Sequence, residues 1–403
     1  MPLSLPPRLQ RILDAEYPRF SAGEMERRRA AIADLLAAHD LDHLVYCGFN
    51  RTGSAVQWLT QWPVTTEAVG VFSPGKPDAL FVQYFNHVPL AQELAERAEV
   101  AWGGESSIGA AMAALAARGA RPGRVGVIGP LPFDQHARVA ERYGPLVNLN
   151  KPYVRLRTIK SAEEIDWLRI GAALTDRGLL ALRDGLEPGL TERQLGDLVE
   201  RAYIADGGTN VIHFFAVTPM AAPVRAVPAQ FPSTRRVARG DVVVTEIAAA
   251  FWDYPGQVLR SFAVGVEPPP LYRALHETAA AAFDAIAAVL KDGTTPAQVI
   301  AAAGGIEDAG FTTCDDLVHG YGGGYLPPIL GSASRPAGPV PDEPFRAGMT
   351  VVIQPNVITK DGRAGVQTGE LVLVTLDGIE RLHNVPRGFA QVECRISPRH
   401  SGS

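Results

Sequence analysis

The sequence predicts two domains, an α/β domain over residues 1–153 and an α+β domain over residues 154–403. Three observations lead there. The chain has 403 residues, more than one ordinary hydrophobic core serves. Up to about residue 150, short apolar runs alternate with helical patterns, the rhythm of an α/β domain. Past Tyr153 two long helical patterns come first, and closely spaced strand patterns follow.

The elements read as follows. Ser21 with Glu24 three residues on opens an amphipathic helix to about Asp40, with Ile32, Leu35 and Leu36 as its apolar stripe. Leu44–Tyr46, Ala68–Phe72 and Ala79–Val82 read as strands. Helical patterns at Pro89–Arg97 and Ser107–Ala117, strand Val125–Ile128 and helix Phe133–Tyr143 continue the alternation. The boundary falls near Asn148–Tyr153. Beyond it, Ser161 and Glu164 form a capping box for a helix to about Leu186, and Thr191 opens another to about Ala205. Strands are expected at Val211–Val217, Asp241–Ile247, Thr350–Ile353 and Glu370–Thr375. Helices near Pro270–Lys291 and Pro296–Ala303 precede a glycine-rich stretch, Gly320–Gly324.

Composition narrows the function classes. A net charge of -5 gives no basic surface for nucleic acid or anionic lipid. No run of about 18 apolar residues marks a membrane span, and Met1–Phe20 lacks a signal core. Cys47, Cys314 and Cys394 are too few and scattered for a disulfide framework, which fits a cytoplasmic setting.

Several landmarks occur in a telling order. They are Arg157 to Glu164, Gly240-Asp241-Val242-Val243-Val244, Arg260-Ser261-Phe262, His319-Gly320-Tyr321-Gly322, Gly348 to Pro355, and Leu373 to Gly378. Together they resemble the creatinase/aminopeptidase P/prolidase superfamily, whose second domain is the pita-bread fold. The resemblance covers Arg157 to about Arg387. It implies a creatinase-like α/β N-terminal domain, a pita-bread α+β C-terminal domain and a homodimer.

The resemblance also places the family's five metal-ligand positions. They hold Glu246, Gln257, His319, Gln354 and Gly369. The family's further histidines fall on Leu326 and Ala229. Two divalent cations side by side need several anionic ligands, and neutral amides are poor ones. One carboxylate and one imidazole imply a metal-free pocket with no cofactor. Creatinase sets the precedent within the family, cleaving a C–N bond with His and Glu side chains. Recruiting Glu370 for Gly369 would require a residue that strand alternation points to the other face.

His319 and Glu246 are the candidate catalytic pair, with a structural hydrogen-bonded remnant as the alternative. Gln257 and Gln354 are candidate substrate-positioning groups. So are His213, Arg225, Tyr321 and Tyr325. Set against these, His213 suits a satisfied core histidine and Arg225 a surface loop. The glycines beside the tyrosines suit either close ligand approach or a tight turn. Trp58 and Trp62 are candidates for core packing or for reaching a partner's site. Asp253 and Tyr254 read as turn residues.

The expected activity is metal-independent hydrolysis of a C–N bond in a small polar or amino-acid-derived molecule. His319 would be general acid or base, and Glu246 would polarise or deprotonate water or substrate. The alternatives are a lyase, dehydratase or cyclase on the same acid/base pair, a non-catalytic binding protein, and a metal-dependent Xaa-Pro-type peptidase.

Overall fold

In the computed structural model, residues 5–49 and 55–393 are described, so Cys394 lies outside them. The chain divides into two compact units, one over Asp14–Arg157 and one from Thr158 onward that also takes up the helix Pro7–Leu13. The expected boundary at 153 therefore moves to 157. The residues around it form the short helix Asn150–Leu156, with Tyr153 buried, rather than a linker. The helix Pro7–Leu13 belongs to the second unit instead of the first. Leu9 is buried there and Arg8 pairs with Asp166.

The first unit holds a six-stranded mixed sheet. Its order is Ala98–Trp102, Asp78–Val82, Glu67–Phe72, His43–Phe49, Val125–Ile128, Val147–Asn148. The central strand His43–Phe49 is fully apolar from Leu44 to Cys47, as a strand covered on both faces requires. Val45, Val69, Val71 and Val125 pack against Ile108, Ala111 and Leu115 of helix Ser107–Ala117. The helix at Ala22–Ala38 starts as expected, with Ser21 accepting from the Glu24 N–H at 3.2 Å. Trp58 and Trp62 are both buried within this unit, Trp58 edge-on to Tyr153 at 5.6 Å. Core packing accounts for both.

The second unit is built on a ten-stranded sheet. Its main path runs Tyr325–Leu330, Val318–Tyr321, Thr350–Ile353, Gly369–Val374, Val258–Val264, Asp241–Phe251, Gly208–Pro219. Helix Ala162–Gly185 opens with the Ser161/Glu164 capping box. Helix Glu192–Tyr203 opens with a second box, Thr191 with Gln194. Tyr272, Leu275, Phe283 and Ile286 of helix Pro270–Val289 share a core with Val242, Val244, Val351 and Val372 of the sheet. Each such fully buried aliphatic side chain contributes about 1.5–3 kcal/mol.

One close approach sets the strand geometry near the site. Gly171 lies where a Cβ would stand 2.1 Å from the Tyr254 carbonyl, so helix Ala162–Gly185 sits directly on the turn before Gln257. Tyr254 is more than a turn residue, since its hydroxyl donates to Glu164 Oε1 at 3.0 Å. Gly322, Gly323 and Gly324 all have positive φ, which favours the tight-turn reading of that run. Among the described residues, no helix is long and apolar enough to cross a membrane.

Candidate functional site

The register brings distant residues onto one face of five consecutive strands. Glu246 is opposite Phe214 on one neighbour and Leu259 on the other. Leu259 is in turn opposite Gly369. Gln257 precedes its strand by one residue and shares the Leu259 face by alternation. His319 is opposite Val352, and Gln354 follows two residues later on the same face. His319 lies within the strand Val318–Tyr321, at an irregularity in its pairing with Tyr325–Leu330.

The four polar side chains connect. Gln257 Nε2 donates to Glu246 Oε1 at 2.8 Å and approaches Gln354 Oε1 at 3.4 Å. Gln354 Nε2 donates to the Asp316 carbonyl at 3.2 Å, and the Gln354 side chain also hydrogen-bonds His319. His319 Nδ1 is 3.1 Å from the Gly320 carbonyl. A carbonyl only accepts, so Nδ1 carries the proton of the neutral ring and Nε2 is the basic nitrogen. Tyr325 stacks on the imidazole at 4.3 Å, and Tyr321 meets it edge-on at 5.4 Å. The Tyr325 hydroxyl donates to Asp316.

Three groups here carry no motif and escape sequence reading. Gln367 hydrogen-bonds Glu246 from two residues before Gly369. Asp315 and Asp316, just before the His319 strand, impose their negative charge on Glu246.

Burial shifts both titrating groups toward neutrality. Desolvation, reinforced by Asp315 and Asp316, pushes the Glu246 carboxyl up to about 8. Desolvation pushes His319 down to about 4 against the opposing pull of Gly320 and Asp315. At pH 7 this face of the sheet therefore carries a carboxylic acid and a neutral imidazole. A protonated Glu246 suits the polarising part of its expected role, while deprotonating water or substrate needs the ionised form.

Two expected residues stay away. His213 is opposite Ile247, on the other face from Glu246, and its Nδ1 pairs with Glu200 Oε1 at 2.5 Å. It borders a groove of about 390 Å³ with Arg193, Glu200 and Arg201 instead. Arg225 is exposed in a loop, as the alternative reading had it. Tyr321 and Tyr325 do join His319.

The donor set does not fit a pair of divalent cations. Gln257 and Gln354 are neutral, and the contact between them and Glu246 uses Gln257 Nε2 and Gln354 Oε1. A Cβ at Gly369 would stand 2.4 Å from the Ile353 carbonyl and 2.9 Å from Gln354 Cα, so no side chain fits. Glu370 points away and is held by Arg260 Nη2 at 2.6 Å and by Arg381. Among the described residues, no group of three or more His, Cys, Asp or Glu is arranged to hold a metal.

Comparison with known proteins places this geometry. The signature of metallopeptidase family M24 matches residues 166–376, just over half of the chain. A probable dipeptidase PepE of Mycobacterium tuberculosis is 30% identical over 237 residues, 58% of this chain and 60% of that protein. An Xaa-Pro dipeptidase of Pyrococcus furiosus is 27% identical over 235 residues, 58% of this chain and 65% of that protein. The matched region thus spans about three fifths of these relatives' length. In overall fold, the chain is similar to the dipeptidase PepE structure from Mycobacterium ulcerans. The TM-score is 0.76 at 24% identity, over 93% of this chain and 99% of that one.

Proposed function

The chain belongs to metallopeptidase family M24, and from that premise we propose a C–N bond hydrolase that works through Glu246 and His319 without a metal pair. One observation carries the reading. A buried acid and a buried base share one face, joined through Gln257 and Gln354, at the positions where the family resemblance puts metal ligands.

The chemistry runs on these groups. Water adds to the carbon of the scissile C–N bond and gives a proton to His319 Nε2. As the bond breaks, Glu246 gives its proton to the departing nitrogen. The products are the hydroxylated carbon fragment and a free amine, so atoms and charge balance. His319 and Glu246 then exchange the proton back through solvent. Gln257 and Gln354 hold the acid and position the substrate. A pocket without a metal-bound hydroxide suits a strained, cyclic or amidine-like C–N bond better than an unactivated peptide bond.

The test is turnover by protein freed of metal, against cyclic amides, amidines and Xaa-Pro dipeptides. Glu246→Gln and His319→Ala each lower kcat/KM by about 10²–10⁴-fold. Unchanged turnover in both variants would sink the mechanism. The family relatives favour a second reading, a metal-dependent Xaa-Pro-type peptidase. Near two equivalents of Mn, Co or Zn per chain after purification without chelator would select it.

A further inference from the structure

We propose that a cleft on the far face of the ten-stranded sheet binds a small monocarboxylate with an apolar body the size of an aromatic ring. This site stands whether or not the Glu246 face hydrolyses anything.

The cleft lies between helix Ala162–Gly185, strand Val258–Val264 and the segment 385–390. Arg260, which lines it, is opposite Thr245, one residue along from the Leu259 and Glu246 pair. Alternation therefore puts the cleft on the face away from Glu246, and its ligand is not the substrate of that face. The cleft measures about 140 Å³, and Leu179, Leu180, Phe262 and Phe389 line it. An apolar cavity of about 150 Å³ takes up a molecule such as benzene. One ring, or a branched chain of that size, is the body that fits.

Three guanidinium groups set the charge of the head. Arg183, Arg260 and Arg387 line the cleft, and among the described residues no acidic side chain does. Arg183 and Arg387 are exposed and mark the mouth. Their partners, Asp184 and Asp284, are exposed as well, and such pairs hold a guanidinium weakly. Arg260 is buried. Its Nε donates to the Pro386 carbonyl, Nη1 to the carbonyls of Leu259 and Gly369, and Nη2 to Glu370. A guanidinium has five N–H groups, so one on Nη2 is left over. A buried donor without an acceptor is costly, and a carboxylate is the strongest acceptor a guanidinium can be offered. A cation would meet three like charges here. A neutral ring would leave the donor open.

The test is isothermal titration calorimetry on the full chain with benzoate, benzylammonium, benzyl alcohol and acetate. Benzylammonium reverses the charge, benzyl alcohol removes it, and acetate keeps it without the ring. Benzoate is expected to bind at one site per chain, at least about tenfold tighter than the other three. A hydrogen bond to a charged group makes a difference of that order.

Leu180→Trp, at a half-buried position in the lining, fills the cleft. It should abolish benzoate binding while circular dichroism stays native. The double variant Arg183→Gln/Arg387→Gln changes exposed side chains only, so it decides the matter should Leu180→Trp misfold. It should weaken benzoate about tenfold and leave benzyl alcohol unchanged. Benzylammonium or benzyl alcohol binding as tightly as benzoate would overturn the proposal, as would no saturable binding of benzoate. Benzoate binding that survives Leu180→Trp in a natively folded chain would place the ligand elsewhere and overturn it too. Indifference to the loss of both arginines would do the same.

Discussion

Burial drives Glu246 and His319 to neutrality from opposite directions, and each shift has its own signature in pH. The Glu246 carboxyl rises from 4.5 to about 8. Between those values the folded chain holds a proton that the unfolded chain has released, so stability falls as pH rises through this window. The loss is complete above about 8 and amounts to a few kcal/mol. Glu246→Gln removes the titration. Its urea midpoint should therefore gain on that of the unaltered protein between pH 5 and pH 9. Parallel midpoints would contradict the shift. His319 falls from 6.5 to about 4, so its contribution is lost as pH drops through that interval. If the neutral forms of both groups are the working ones, kcat/KM follows a bell with limbs near 4 and 8. A profile still rising above pH 9 would make Glu246 the base instead. His319 and Gln354 were legible in the sequence because each sits in a landmark, and Glu246 and Gln257 because they keep an eleven-residue spacing between two landmarks. Gln367, Asp315 and Asp316 were not, because a glutamine before a strand and a pair of aspartates in a loop read as solvated polar residues. His213 misled for a related reason. Sequence assigns it to a strand that borders the site, but the face it occupies depends on register with Asp241–Phe251.

At the scale of elements, the strand Gly369–Val374 decides why a carboxylate cannot return to this pocket. Gly369 lies against the Ile353 carbonyl and the Gln354 backbone, closer than any Cβ tolerates. Two strands approach there, and that approach sets Gln354 beside Gln257. Gly369→Ala should therefore destabilise the second unit by about 1–3 kcal/mol through overpacking. It should also cost activity, because Gln354 has to move. Differential scanning calorimetry with kcat/KM checks both, and an unaltered melting temperature would mean that the strands yield freely. Gly369→Glu should be worse still and should not raise divalent-cation binding measured by equilibrium dialysis. Alternation predicted the Glu370 orientation correctly from sequence. Its side chain turns away from the pocket to Arg260 and Arg381. The helices were legible where caps announced them, at Ser161/Glu164 and Thr191. The strands around His319 were not, because Gly320 to Pro328 reads as a loop whose glycines and prolines argue against regular pairing.

At the scale of the whole molecule, the chain begins in one unit, crosses to the other and returns. Helix Pro7–Leu13 is only seven residues long and carries no cap that a sequence reading could use. It is held by tertiary contacts with helix Ala162–Gly185, which include Arg8 with Asp166, and by burial of Leu9. An isolated helix of this length is not stable in water, so its order comes from that packing. Deleting residues 1–13 should therefore lower the stability of the unit from Thr158 onward and spare the unit Asp14–Arg157. Deletion removes Arg8 from the buried Asp166 carboxylate, and loss of one buried leucine alone costs about 2 kcal/mol. For a unit near 250 residues, that is a fall of roughly 4–8 °C in melting temperature. The two units have separate cores, so unfolding is expected as two calorimetric transitions rather than one. Native-state hydrogen exchange tells which transition has moved. Faster exchange in Asp241–Phe251 with unchanged exchange in His43–Phe49 supports the assignment. The reverse pattern would place the first helix with the first unit, as its position in the sequence suggests.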